Sequence, residues 1–261
     1  VATGHEWRRP DLVMANGSRF IVPINLPKAP NMPSDSDWER VSLDLLRAWD
    51  WAPENPVLLQ KNGLEIALTT HGIKDKKTFR ENLAKVIERG LSKRDALAAL
   101  TTTPARLTGA ADQIGTVEAG KLANLVVVEG DYFDPKAKIK GVWIEGRWNT
   151  LEPENLAWID KKKEEDQEKD EEKKKEDDTK EDKPDERLAR SPIEENTILE
   201  PTAVLVRNAT LWTSSKRGVL KKQDLLIADG KIKKIGRNLQ QPENAHVIDA
   251  KGKHVTAGLI D

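Results

Sequence analysis

Ala98-Ala-Leu-Thr-Thr-Thr-Pro-Ala-Arg-Leu-Thr-Gly109, followed by Ile114-Gly-Thr-Val-Glu-Ala-Gly-Lys-Leu-Ala-Asn-Leu-Val-Val-Val128, decides how this chain is read. Up to Gly109 the apolar residues recur at helical spacing. Beyond it they come in short β-branched runs separated by glycine. The chain changes texture here, from alternating strand and helix to strand alone.

Upstream, Ser92-Lys-Arg-Asp95 is a capping box that opens a helix through Ala96-Leu-Ala-Ala-Leu100. Thr103 as cap and Pro104 at the first position start a further short helix, which Gly109 ends. A helix from about Lys76 to Arg89 places Phe79, Leu83, Val86 and Ile87 on one face, with Gly90 as its carboxyl cap. Glu39 to Trp51 carries Val41, Leu45, Leu46 and Trp49 at helical spacing, with Pro53 and Pro56 closing it. Arg19 to Asn25 and Leu64 to Leu68 are short apolar runs that suit buried strands. Strand and helix alternating at this spacing predict parallel βα units.

Downstream, Leu122–Val128, Ile139–Ile144 and Arg147-Trp148 read as strands. The same texture returns in Val204–Thr213, Asp224–Ala228, Ile232–Ile235 and His246–Asp249. Asp229-Gly230 is a strong two-residue hairpin signal, and Glu145-Gly146 a weaker one. Each block is short for independent folding, so the two are expected to close one small antiparallel sandwich with its own core.

Between the blocks, Lys161 to Arg187 is nearly all Lys, Glu and Asp and raises the charged fraction of the chain to 33%. It has no aliphatic or aromatic side chain with which to offset its ordering entropy. It reads as a linker, either disordered or a solvated lone helix as far as Pro184. A net charge of -1 gives no argument for nucleic acid or an anionic membrane. No apolar run approaches the roughly 18 residues of a membrane span. The absence of cysteine excludes disulfides, thiolate metal sites and a cysteine nucleophile. No phosphate-binding loop, dinucleotide fingerprint or serine-nucleophile elbow is present. Eight tryptophans invite a stacking platform, but Trp38, Trp49 and Trp51 flank a helical stretch while Trp143, Trp148 and Trp212 fall on strands. That scatter suits packing.

The block ending at Val128 resembles the end of an amidohydrolase-superfamily hydrolase. Ala99–Gly109 is similar to its last barrel helices, and Gly115–Val128 to its return into a sandwich. Asp224–Ile235 with Val247–Asp261 resembles the start of another member, close to the imidazolonepropionase and dihydroorotase-like branches. The resemblance implies a fold that is α/β plus all-β. It comprises the last units of a (β/α)8 TIM barrel and a composite β-sandwich, joined by the charged linker. The expected organisation is 1–110 as the last βα units and 111–150 as carboxyl-terminal sandwich strands. Residues 151–201 are then the linker, 202–254 the amino-terminal sandwich strands of a second unit, and 255–261 its first barrel strand. The opening at Val1 without Met, and the stop at Asp261 after an apolar strand, lead to the expectation of a piece of a longer parent.

The resemblance also implies chemistry. Such hydrolases hold divalent metal, zinc in the expected case, which activates water against a carbon–nitrogen bond of an amide or cyclic amide. The implied partners are a small-molecule amide and a homo-oligomer of the parent, with no nucleic acid and no membrane span. His71 falls where the family pattern expects a carboxylate, in Thr69-Thr70-His71-Gly72, and is a candidate metal ligand; the alternative is a polar residue on a degenerate rim. His5 is expected near the end of barrel strand six, in a substrate-side or metal-ligand role, or otherwise as a loop residue. His246 and His254 are expected to be structural, and Asp261 to position the adjacent turn. With most ligands missing, this chain by itself is expected to lack a metal and turnover. The competing reading is a non-catalytic scaffold or interaction module derived from a degenerate amidohydrolase.

Overall fold

The computed structural model describes residues 1–15, 19–31, 41–150 and 203–261. Trp38, the helix start expected at Glu39 and the linker at 151–201 lie outside these residues.

A single 3-10 turn at Glu6–Arg8 leads into α1 (Pro10–Ala15) and β1 (Phe20–Pro23). α2 (Leu43–Trp51) starts at Ser42, whose side chain accepts from the Leu45 amide. Its expected apolar face is not buried among the described residues. Leu45 and Trp49 stay 44% and 40% exposed, and Ala48 is the buried residue. The two prolines do not close the helical stretch either. Pro53 sits in a 3-10 turn (Ala52–Glu54) and Pro56 in the first turn of α3 (Asn55–Lys61), where a missing N–H forfeits no helical bond.

β2 (Ile66–Thr69) pairs with β1 in parallel, Phe20 opposite Ile66 and Pro23 opposite Thr69. All four residues of β2 are buried, as a strand covered on both faces requires. α4 (Thr78–Glu88) buries Phe79, Leu83 and Val86, and Gly90 follows it in the left-handed region. α5 (Lys93–Leu100) is capped by Ser92 Oγ, which accepts from the Asp95 amide at 3.1 Å. α6 (Thr102–Leu107) begins two residues earlier than expected, with Thr101 at its cap. The predicted parallel βα texture is therefore present, as a two-stranded sheet with helices and not as a closed barrel among the described residues.

The remaining strands are β3 (Leu125–Glu129), β4 (Lys138–Ile144), β5 (Arg147–Thr150), β6 (Ala203–Trp212), β7 (Val219–Ala228), β8 (Lys231–Gly236), β9 (His246–Asp249) and β10 (His254–Ala257). They form one eight-stranded sheet in the order β5-β4-β3-β10-β6-β7-β8, with β9 beside β6. The two blocks thus join through hydrogen bonds, β10 lying antiparallel to β3 and parallel to β6. This differs from the expected sandwich in two respects. The sheet is mixed, since β9 and β10 both run parallel to β6. It is also continuous, because β10 fills the gap between the blocks.

The sheet curls back on itself. The Ala123 amide donates to Gly230 O at 2.8 Å and Ile232 N to Lys121 O at 2.9 Å, so the lead into β3 meets the β7–β8 turn. Asp229-Gly230 and Glu145-Gly146 both have positive φ, as two-residue hairpin turns of this twist require. β3 explains why its sequence is an unbroken apolar run. With period-two alternation, Val126 and Val128 enter the core shared with β1, β2 and the helices. Leu125 and Val127 enter the core inside the curl with Leu211, Leu225, Ile227, Ile232 and Val255.

His254, on β10, accepts a hydrogen bond at Nδ1 from Trp212 Nε1 at 3.2 Å. Desolvation lowers its pKa, and Lys221 adds to this while Asp131 opposes it. The unfolded chain protonates near the ordinary histidine value of about 6.5, whereas the folded imidazole resists until lower pH. Folding stability contributed by His254 is therefore present above that value and falls as pH drops below it. The urea midpoint should decline between about pH 7 and 5.5, and His254→Phe should flatten that decline. An equal slope in the variant would contradict the assignment.

Candidate functional site

The carboxyl edge of the parallel pair gathers most of the polar residues singled out in the sequence. The chain's first residues run beside β1, the Ala2 amide donating to Ile21 O at 2.8 Å. Gly4, at φ +83°, then turns against Pro23. His5 follows, near the carboxyl end of β1. β2 ends at Thr69, and Thr70-His71-Gly72 makes the next turn. Gly72, at φ +79°, lies so close to Asn25 that an added Cβ would stand 3.0 Å from Asn25 Nδ2. Asn82 on α4 holds this edge by donating to Ile24 O at 2.9 Å.

After β10 the last residues leave the mixed sheet and return to the same edge. Gly258 N donates to Asn124 O at 2.7 Å and Ile260 N to Leu100 O at 2.9 Å. Asp261 Oδ1 accepts from Thr69 Oγ1 at 2.6 Å and from Thr70 N at 2.7 Å, while Thr70 Oγ1 donates to Oδ2. Lys76 Nζ donates in turn to Thr70 O at 3.3 Å and to Thr70 Oγ1. Partial burial pushes the Asp261 carboxyl up, but the Thr69 and Thr70 donors and Lys76 outweigh it and hold the group below its ordinary value. Asp261 is an ionised anchor with both oxygens committed. It positions not the turn adjacent to it, as expected, but the Thr69–Thr70 turn, whose residues are 192 and 191 positions away.

The two candidate ligands are placed but not assembled. His71 is exposed, and its amide donates to Thr69 Oγ1 at 3.1 Å. His5 is exposed, and its amide donates to Thr3 Oγ1 at 3.2 Å. The buried acid beside it, Glu6, accepts from the Thr3 amide at 2.6 Å and from Asn55 Nδ2 at 2.8 Å. Asn55 Oδ1 accepts from the Trp7 amide at 2.7 Å. Burial opposes ionisation of Glu6, yet Asn55 and Thr3 together keep its pKa below the ordinary value. Glu6 is thus a clamp on the turn and not a free ligand. Among the described residues no three His, Asp or Glu side chains converge to hold a metal, so these residues alone do not fit a metal centre. His246 and His254 lie on β9 and β10, away from this edge.

The tryptophans also follow the expected scatter. Trp7 meets Trp51 edge-on at 5.6 Å, and Trp143 meets Trp148 at 4.5 Å between ring centroids. The constellation that sequence reading passed over is Thr69, Thr70, Lys76 and Asp261. Its one local signal is a hydroxyl pair directly after a buried strand.

The profile of the Amidohydrolase family matches residues 56–149, from α3 through β2 and its carboxyl edge to β5. A dihydroorotase of Halalkalibacterium halodurans is 49% identical over 57 residues, 22% of this chain and 13% of that protein. One of Geotalea daltonii is 55% identical over 38 residues, 15% of this chain and 9% of that protein. The chain therefore spans about an eighth or less of these relatives. Among solved structures, an amidohydrolase from Thermotoga maritima aligns with a TM-score of 0.40 at 27% identity, covering 54% of this chain and 33% of that one. No helix among the described residues is long and apolar enough to cross a membrane. Through residues 56–149, the chain is similar to the Amidohydrolase family.

Proposed function

We propose that this chain is the junction of a tandem amidohydrolase whose parent hydrolyses carbon–nitrogen bonds in small cyclic amides. The observation that carries the reading is the family match across β2, its carboxyl edge and the strands that follow; the dihydroorotase relatives support the cyclic amide class. In this reading residues 1–110 end one unit, 111–150 and 202–254 are flanking strands, and 255–261 open the next. The parent takes a divalent metal, zinc by preference, with a donor set completed outside the described residues, and it assembles as a homo-oligomer. His71 and His5 are its candidate ligands at this edge. A second reading, a scaffold derived from such an enzyme, is favoured by one observation: His71 stands where the resemblance expects a carboxylate, and imidazole does not simply replace a carboxylate as a metal-bridging proton acceptor.

The test compares this chain with a parent extending past Asp261, using dihydroorotate and hydantoin as ring-opening probes and elemental analysis for metal. The expected result is turnover and bound metal in the parent, neither in this chain, and less metal in the parent's His71→Ala variant. A parent that binds metal but keeps it fully in that variant removes His71. A parent that binds no metal and opens neither ring overturns the enzyme reading in favour of the scaffold.

A further inference from the structure

We infer that the groove between β9 and β4 is a docking site for an extended acidic peptide of another protein, added as a strand along the outer edge of β9. The groove has a volume of about 1220 Å³. Its floor is apolar, with Trp143, Trp148 and Ile248, and the two indoles are in contact. Trp143 is only 3% exposed, yet its indole N–H has no acceptor among the described residues. A buried donor left unmatched is destabilising, and a bound main chain or carboxylate is the kind of group that would supply an acceptor after a small shift.

The rim is cationic. Seven Lys and Arg residues line the groove against two acids, Glu81 and Asp249. Lys140 is paired with Glu129 at 2.8 Å, and Arg80 is committed to the carbonyls of Tyr132, Asp134 and Ala137. Lys136, Lys138 and Lys253 form no ion pair with described residues, although Lys138 and Lys253 share the field of Glu129 with Lys140. Repulsion among cations held on one concave surface is relieved by an anionic occupant.

The backbone selects the class of anion. β9 pairs with β6 along one edge, and among the described residues no strand pairs with the other. Ile248 and Asp249, at the end of β9, line the groove. An unpaired strand edge supplies main-chain donors and acceptors in register for an added strand. Alternate side chains of such a strand point to opposite faces, so one set meets the indoles while acidic residues of the other reach Lys138 and Lys253. A nucleic acid matches the charge of this groove but leaves the β9 edge unpaired.

The experiment measures fluorescence anisotropy of a labelled, capped peptide of alternating Glu and Val against the full chain. Binding is expected to weaken about tenfold in Lys138→Glu/Lys253→Glu, to fall with added salt, and to fall at least as far when alternate peptide amides are N-methylated. The last comparison uses the unaltered protein, so it holds even if the double variant folds poorly. Absence of binding, or binding that ignores N-methylation, overturns the proposal. So does equal binding of single-stranded DNA, which indicates a general polyanion surface. Binding that appears only after the acids of residues 161–187 are replaced by Gln also overturns it, because the chain then fills its own groove.

Discussion

Val255→Pro is expected to unfold the mixed sheet as a unit, lowering stability by about 3 kcal/mol or more. Val255 is fully buried and sits at the middle of β10, opposite Val127 on β3 and Leu211 on β6. A strand with partners on both sides uses every amide on one side or the other, so proline removes a ladder bond at any position and adds a ring clash. The effect exceeds a local loss because β10 is the strand that joins β3–β5 to β6–β8. Urea unfolding of the intact protein should show one transition, moved to lower denaturant in the variant. An unchanged midpoint would mean that β10 does not lie between the two blocks.

Gly146→Ala is expected to cost markedly more than Gly63→Ala, although the two glycines have nearly the same backbone, φ +80° and +79°. An alanine at either position pays the left-handed penalty of roughly 1–2 kcal/mol. At Gly63 the new methyl meets nothing within 4 Å. At Gly146 it would stand 2.9 Å from Gly230 Cα and 3.3 Å from Gly230 N, backbone atoms that cannot rotate away. Overpacking of this kind adds roughly 1–3 kcal/mol. The difference between the variants therefore isolates the contact between the β4–β5 and β7–β8 turns from the strain common to both. Equal losses would show that the sheet does not close at that contact.

The candidate site was legible where its logic is local. β1 and β2 form within the apolar runs Arg19–Asn25 and Leu64–Leu68, and His71 falls just beyond the second, whereas His5 precedes β1 in the chain and reaches its end through the Gly4 turn against Pro23. The reading failed where partners are remote. Nothing near Asp261 announces Thr69 and Thr70, and nothing near α2 indicates that Leu45 and Trp49 remain exposed among the described residues. The prolines misled for another reason: Pro56 has the same lost amide at a helix end or a helix start, and only the following turn decides which.

Local chemistry accounts for the strands, the capped helices and the glycine turns, because period-two and helical alternation, side-chain caps and positive φ act within a few residues. The exchange of partners came from the folded chain: β10 between β3 and β6, the sheet curling onto itself, and Asp261 closing on Thr69 from 192 positions away. Alternation says which face of a strand must leave water. It does not say which strand will cover that face, since an apolar run such as Leu125–Val128 fits any neighbour of matching shape and edge.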